Sequence, residues 1–252
     1  HHGTSRCRRE GASTPSGVRL RGFSVRYSNF FLEPMDLTVD PGERIALVGA
    51  NGAGKSTTLK AIAGRLRDYE GRVELCGDDI RPQLPEIRTR VGFLPEKLLG
   101  FGWMTIDEHL RFLSTFYPTW DREYEQELLT RLDLRGASKV GTLSRGMSVK
   151  LSLVTAEAHR PPVLILDEPT TAIDPVMRRE LLRIIGDCAP RGGDRLVLFS
   201  SHILEDVDFI AERVVLMRHG RILEDVTAEE LRARDPGAPL SQILISALES
   251  DD

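Results

Sequence analysis

The chain has 252 residues, 40% hydrophobic and 29% charged, with a formal net charge of -4. This length and balance suit an α/β domain carrying an inserted subdomain, and the acidic charge gives no general electrostatic reason to bind nucleic acid. Cys7, Cys76 and Cys188 are scattered without a C-x-x-C pair, which speaks against a zinc site and for a reducing, cytosolic compartment; no apolar run reaches the ~20 residues that span a bilayer, and no signal-peptide core is present.

His1 and His2 read as a tag remnant, and the Arg-, Ser- and Gly-rich lead through residue 17 as a disordered extension. From Val18 to Val39 apolar residues alternate as in short antiparallel strands, with turns at Ser28-Asn29 and Asp40-Pro41-Gly42. Tyr27 stands about twenty residues before a glycine-rich loop, where its ring could stack on an adenine; taken alone it reads first as a packed strand-end tyrosine, and Phe30 and Phe31 compete for the role.

The apolar run Ile45 to Val48 leads into Gly49-Ala50-Asn51-Gly52-Ala53-Gly54-Lys55-Ser56-Thr57, and Leu59, Ile62, Ala63 and Leu66 then trace a helix. Strand, glycine loop and helix fit G-x-x-x-x-G-K-[ST], in which backbone N–H groups turn inward on phosphate oxygens at a helix N-terminus. The stretch resembles a P-loop nucleoside triphosphatase. On that resemblance Lys55 reaches the β- and γ-phosphates and the Ser56 hydroxyl is a Mg²⁺ ligand.

Beyond this helix, Tyr69-Glu70-Gly71 reads as a turn, Arg72 to Cys76 and Val91 to Leu94 as strands, and Pro95-Glu96 as a stop. Leu98-Leu99-Gly100-Phe101-Gly102-Trp103-Met104 suits a loop that docks onto a partner or covers the local core. Thr105 to Glu108 is a capping box, opening a helix whose face is Ile106, Leu110 and Leu113 with Phe112 and Phe116 behind. A second helix starts at Trp120-Asp121, buries Tyr124, Leu128, Leu129 and Leu132, and closes at Asp133 to Gly136. Leu143-Ser144-Arg145-Gly146-Met147 enters another helix with Ser144 as a candidate N-cap, a plain cap or a second anion site.

Val163 to Leu166 reads as a parallel strand buried on both faces, ending in Asp167-Glu168-Pro169. Carboxylates at such a strand end can hold Mg²⁺ and orient an attacking water, or form a solvated acidic turn. Thr170 to Asp174 follows, then a helix through Ile185. Arg195 to Phe199 is another buried strand before Ser200-Ser201-His202, where the imidazole either donates to a phosphate or caps the next helix. Val214 to Met217 and Arg221 to Leu223 pair across His219-Gly220; Thr227 to Glu230 caps a helix, and Leu240, Ile243, Leu244, Ala247 and Leu248 mark an amphipathic C-terminal helix.

Together, Gly49 to Ser56, Leu143 to Met147, Leu164 to Glu168, Asp174 and His202 stand in the order of an ATP-binding cassette (ABC) ATPase, which the chain resembles from about Val18 to Val226. The resemblance implies a P-loop NTPase (RecA-like) core with an antiparallel β subdomain and an inserted α-helical subdomain at about 98–160; the residue pattern adds a C-terminal helical extension over 227–252. It implies that Tyr27 stacks on adenine, that Gly49, Asn51, Gly52, Ala53, Gly54, Lys55, Ser56 and Thr57 cradle phosphate, and that Ser56, Glu96 and Asp167 serve Mg²⁺. By the same carry-over Glu168 is the general base, His202 the γ-phosphate switch, Ser144 and Gly146 the signature facing a partner's ATP, and Asp174 part of the intersubunit loop.

Three positions depart from the common pattern: Glu96 replaces a usual glutamine, the signature is Leu-Ser-Arg-Gly-Met, and the intersubunit loop is Thr-Ala-Ile-Asp. The Pro95-Glu96 sensor, the Arg145-Gly146-Met147 signature and the Tyr117 to Asp121 stretch look most like those of ATPases of bacterial ABC-2-type exporters. The implied function is that of an ATP-hydrolysing subunit that pairs with a second cassette and drives an integral membrane permease, peripheral on the cytoplasmic face of the membrane. A soluble cassette switch acting on ribosomes or nucleic acid is the alternative, and the single cassette and acidic charge weigh against it.

Overall fold

Two ten-residue strands, β1 (Val18–Tyr27) and β2 (Phe30–Val39), open the computed structural model, which describes residues 17–81, 88–97, 100–188, 190 and 193–249. They pair antiparallel across the turn expected at Ser28-Asn29, and β4 (Glu70–Leu75) and β5 (Asp78–Asp79) extend the sheet in the order β2-β1-β4-β5. The leader through residue 16, with its His1-His2 pair and Cys7, and Leu98-Leu99 of the expected docking loop lie outside the described residues. Among the described residues no helix is long and apolar enough to cross a membrane.

The second sheet is ordered β10-β9-β3-β8-β7-β6, built from β3 (Arg44–Val48), β6 (Val91–Leu94), β7 (Val163–Asp167), β8 (Leu196–Ser201), β9 (Arg213–Arg218) and β10 (Arg221–Thr227). Every pairing is parallel except β9 with β10. The central strands β3, β7 and β8 are buried along their length and largely apolar because both faces are covered, whereas the edge strand β10 is part-exposed and carries Glu224 and Asp225. Ala46, Val48, Leu164, Leu166, Val197 and Phe199 point into one core, and Ile45, Leu47, Val163, Ile165 and Leu198 into the other. The second core is closed by the antiparallel sheet and α1 (Lys55–Ile62). Over the first lie α2 (Ile106–Ser114), α3 (Arg122–Arg131), α4 (Arg145–Glu157), α5 (Pro175–Cys188), α6 (Leu204–Ile210), α7 (Ala228–Arg234) and α8 (Leu240–Glu249).

Local chemistry sets the helix starts. Thr105 and Thr227 form capping boxes with Glu108 and Glu230, Asp121 caps α3 through the Tyr124 N–H, and Ser144 caps α4 through the Met147 N–H. α1 stops at Ile62, short of the expected Leu66, which still packs on the second core. Gly71 lies inside β4 instead of in a turn: a Cβ there would stand 2.2 Å from the Gly22 carbonyl oxygen, so glycine is needed for close passage beside β1, and the turn falls at Cys76-Gly77. α2 buries Ile106, His109 and Leu110, whereas Phe112 and Phe116, expected behind that face, are exposed.

Parallel pairing brings the carboxyl ends of β3, β6, β7 and β8 to one edge. Val48 registers with Ser201, Asp167 with Ser200, and Leu94 with Leu166. Loops leaving that edge carry residues 49–54, Glu96, Glu168 and His202, so four distant stretches meet there, as ligand sites of open α/β sheets do.

Candidate nucleotide site

A cavity of about 440 Å³ opens at this edge, lined by Tyr27, Phe30, residues 51–57, Glu96, Glu168, Thr171 and His202. The glycine loop is fastened from behind. Gly220 N–H, in the β9–β10 turn, donates to the Ala53 carbonyl at 3.2 Å, and a Cβ on Gly49 would meet the Met217 carbonyl oxygen at 2.1 Å. Gly54, with φ 109°, then turns the backbone into α1.

Lys55 is buried and curls back on its own loop, donating to the Gly49 carbonyl at 2.7 Å and the Ala50 carbonyl at 3.2 Å. Its ammonium also lies 3.5 Å from Glu168 Oε1. The other oxygen of Glu168 accepts from the Thr171 hydroxyl at 3.1 Å and lies 2.7 Å from His202 Nδ1. Glu168 itself holds a positive φ of 52°, a sparsely populated conformation for a residue with a side chain. Its backbone is held by its N–H donating to Ser200 Oγ at 2.9 Å.

Asp167 ends β7 buried, and its Oδ1 accepts from Ser56 Oγ at 2.7 Å and from Ser200 Oγ at 2.8 Å. Ser200 thus ties both neighbouring acids to β8. Sequence reasoning misses the roles of Ser200 and Thr171; the signal for Ser200 is the Ser200-Ser201 pair closing an otherwise apolar strand, and Thr171, in the loop after β7, has no such signal. The hydroxyl of Ser56 and the carboxylates of Asp167 and Glu96 are hard oxygen donors suited to Mg²⁺, an ion held through one or two carboxylates and substrate phosphates. No group of three His, Cys, Asp or Glu forms a self-sufficient metal cage among the described residues.

The aromatic alternatives separate. Tyr27 is 47% exposed and stacks on Phe30 with ring centroids 6.4 Å apart, both at the cavity, while Phe31 lies outside its lining under the Arg26 guanidinium, 4.3 Å from the ring centroid. Ser144, Gly146 and Asp174 do not line the cavity. Ser144 and Asp174 cap their own helices, and Gly146 abuts Met177 at the start of α5.

Three aromatic contacts form a separate surface cluster. Phe101, Trp103, Phe112 and Phe116 are exposed, with centroid separations of 5.8 Å for Phe101–Trp103, 6.1 Å for Phe101–Phe112 and 5.3 Å for Phe112–Phe116.

Comparison with known proteins agrees with this geometry. A family model described as ABC transporter matches residues 32–171. The chain is 34% identical over 199 residues to the uncharacterized ABC transporter ATP-binding protein YxlF of Bacillus subtilis, covering 77% of this chain and 65% of YxlF. It is 29% identical over 219 residues to the linearmycin resistance ATP-binding protein LnrL of the same organism, covering 85% of this chain and 70% of LnrL. A solved ATP-binding subunit of an ABC transporter superposes with a TM-score of 0.81 at 29% identity, covering 93% of this chain and all of that one. The aligned stretch thus spans about two thirds of the two Bacillus proteins. With over half of the chain inside the family model and the glycine loop, paired carboxylates and histidine meeting at one cavity, the chain belongs to the ABC transporter family, as an ATP-binding cassette.

Proposed function

We propose that this cassette hydrolyses MgATP as one half of a pair and uses the cycle to drive a membrane permease, in an exporter of the ABC-2 type. One observation carries the reading: Lys55, Ser56, Asp167, Glu168 and His202, from three separate stretches, converge within hydrogen-bond or ion-pair reach beside a single cavity. In this proposal residues 49–57 hold the triphosphate through backbone N–H groups, and Lys55 gives up its carbonyl contacts to pair with the β- and γ-phosphates. Ser56, Asp167 and Glu96 hold the Mg²⁺, whose chemistry is charge neutralisation of the phosphates.

Glu168 takes the proton of the attacking water, and His202 donates to the γ-phosphate. The observed His202–Glu168 contact keeps both groups beside the space where that phosphate would lie. Catalysis of phosphoryl transfer is largely positioning and charge stabilisation, so a rigid hydroxyl-anchored pair of acids is what the reaction asks of a protein. Ser144 and Gly146, outside the cavity lining, are left to face the nucleotide of a second cassette; each site is then completed by the partner chain, with the Asp174 loop between them.

The exposed aromatic cluster at Phe101, Trp103, Phe112 and Phe116 is the surface we assign to the permease, which puts the chain peripheral on the cytoplasmic face of the membrane. The resistance named for LnrL is consistent with export. A single experiment tests the reading. Glu168→Gln, held with ATP and Mg²⁺ in the source cells, should sediment as a dimer and carry a polytopic membrane protein through gentle solubilisation. A monomer with ATP bound, or recovery of ribosomes or DNA without a membrane protein, overturns it.

A further inference from the structure

Asp206 sits on the first turn of α6, four residues after His202, and is 1% exposed. Its two carboxylate oxygens are claimed by two other elements: Oδ2 accepts from the Thr170 hydroxyl and Oδ1 from Nε of Arg178. Thr170 lies two residues past Glu168, and Arg178 lies four past Asp174, on α5. One buried side chain therefore ties the loop of the histidine to both ends of the 168–174 loop, near the base through Thr170 and at α5 through Arg178.

A carboxylate taken out of water is costly, and burial raises the Asp206 carboxyl above its ordinary range even with both donors present. Apolar side chains would fill the space at lower cost, since buried ion pairs add little net stability over well-packed hydrophobic residues. Directionality is what the acid supplies instead. Two hydrogen bonds fix Thr170 and Arg178 relative to α6, and the hydrolytic pair they support is itself joined at 2.7 Å between His202 Nδ1 and Glu168 Oε2.

We infer that Asp206 is a positioning residue for hydrolysis: through Arg178 it transmits the position of the Thr171–Asp174 loop to Glu168 and His202, so that seating of a second cassette on that loop aligns base and histidine together. This inference rests on the reading that those two residues act on ATP. It concerns no contact of Asp206 with nucleotide, so affinity and turnover respond differently to its loss.

The test compares full-length Asp206→Asn, Arg178→Gln and the double variant, reading kcat and KM for MgATP, the fraction of nucleotide-competent sites by titration with a fluorescent ATP analogue, and the unfolding midpoint. Each single change should lower kcat per competent site by about tenfold with KM within about twofold, as coupling residues do. The double variant should lose less than the product of the two single losses, because the Asp206–Arg178 contact is shared, beside the separate contacts of Asp206 with Thr170 and of Arg178 with Glu205. Unchanged turnover per competent site, or losses that multiply, overturns the inference. Arg178, partly exposed at 21%, decides alone through its own kcat should Asp206→Asn fail to fold. Failure of the underlying reading looks different: Glu168→Gln would then keep its turnover, and the inference would fall with it.

Discussion

Two polar clusters sit at opposite edges of the parallel sheet, one sealed in the core and one open to a cavity, and they are built to different ends. At the amino edge Arg195, just before β8, donates to Glu157 Oε1 at 2.7 Å, the Cys188 carbonyl at 2.8 Å and the Pro161 carbonyl at 2.9 Å. Glu157 is fully buried and also accepts from the Tyr124 hydroxyl at 3.2 Å, which joins α3, α4 and α5 through one network. Burial pushes the Cys188 thiol up to about 12 and the Tyr124 hydroxyl upward, yet the cluster opens onto neither of the two cavities beside the glycine loop. At the carboxyl edge Lys55, Glu168 and His202 border open space and satisfy one another through contacts that a nucleotide can replace. A strongly perturbed group therefore does not by itself mark a catalytic site; exchangeable partners beside a cavity do.

Replacing one member at each edge sharpens the contrast. Glu168→Gln should lower kcat by about 10²–10⁴-fold, the scale of general-base catalysis, while ATP binding holds or tightens because a negative charge leaves the phosphate site. Steady-state hydrolysis beside nucleotide titration reads both, and retained turnover removes Glu168 as base. Arg195→Met should do the reverse. It strands the Glu157 carboxylate in the core at a cost of about 3–5 kcal/mol, lowering the unfolding midpoint on the order of 10 °C with turnover per folded site unchanged. Loss of turnover without loss of stability would make the amino edge part of the catalytic machinery.

Sequence legibility follows the same division. The glycine loop could be read because strand, loop and helix are contiguous, and the apolar runs at Val163 and Leu196 because strands covered on both faces admit few polar residues. Glu96 and His202 are single residues in unremarkable surroundings, and only the order of the surrounding motifs singled them out. Contacts across the chain carry no local pattern at all: Ser200 bridging Asp167 and Glu168, Asp206 joining Thr170 and Arg178, and Arg195 meeting Glu157 are products of parallel register and helix packing. Phe112 and Phe116 depart from expectation for a related reason, since periodicity finds an apolar stripe without saying which part of it is covered.

A smaller effect at the amino edge is acid sensitivity. His159, in the turn just past α4, has its ring 4.3 Å from that of Tyr117 and Nε2 3.3 Å from the Val91 carbonyl, and burial, helped by the Arg195 charge, lowers its pKa to about 4. The unfolded chain, titrating near the ordinary value of about 6.5, takes up this proton first as pH falls. Its contribution to stability is therefore complete above about 6.5 and is lost progressively toward 4. His159→Gln should flatten denaturant-derived stability across that window; an unchanged slope assigns the acid sensitivity to other groups.

The smallest expected change belongs to the rim of the nucleotide cavity. Tyr27 is half exposed and stacks on Phe30, so an adenine slipped against it gains one aromatic face and keeps solvent on its outer edge. Base stacking on an aromatic residue contributes about 1–3 kcal/mol, and partial exposure favours the lower end, so Tyr27→Ala should weaken ATP binding by about tenfold and leave kcat nearly unchanged. Tyr27→Phe should restore affinity, because the ring face carries the interaction and the hydroxyl does not. An unaltered affinity in Tyr27→Ala would transfer the stacking role to Phe30, the other aromatic at the cavity; a fall in kcat would mean that the strand end, through Phe30 and the glycine loop beside it, helps hold Lys55 in register.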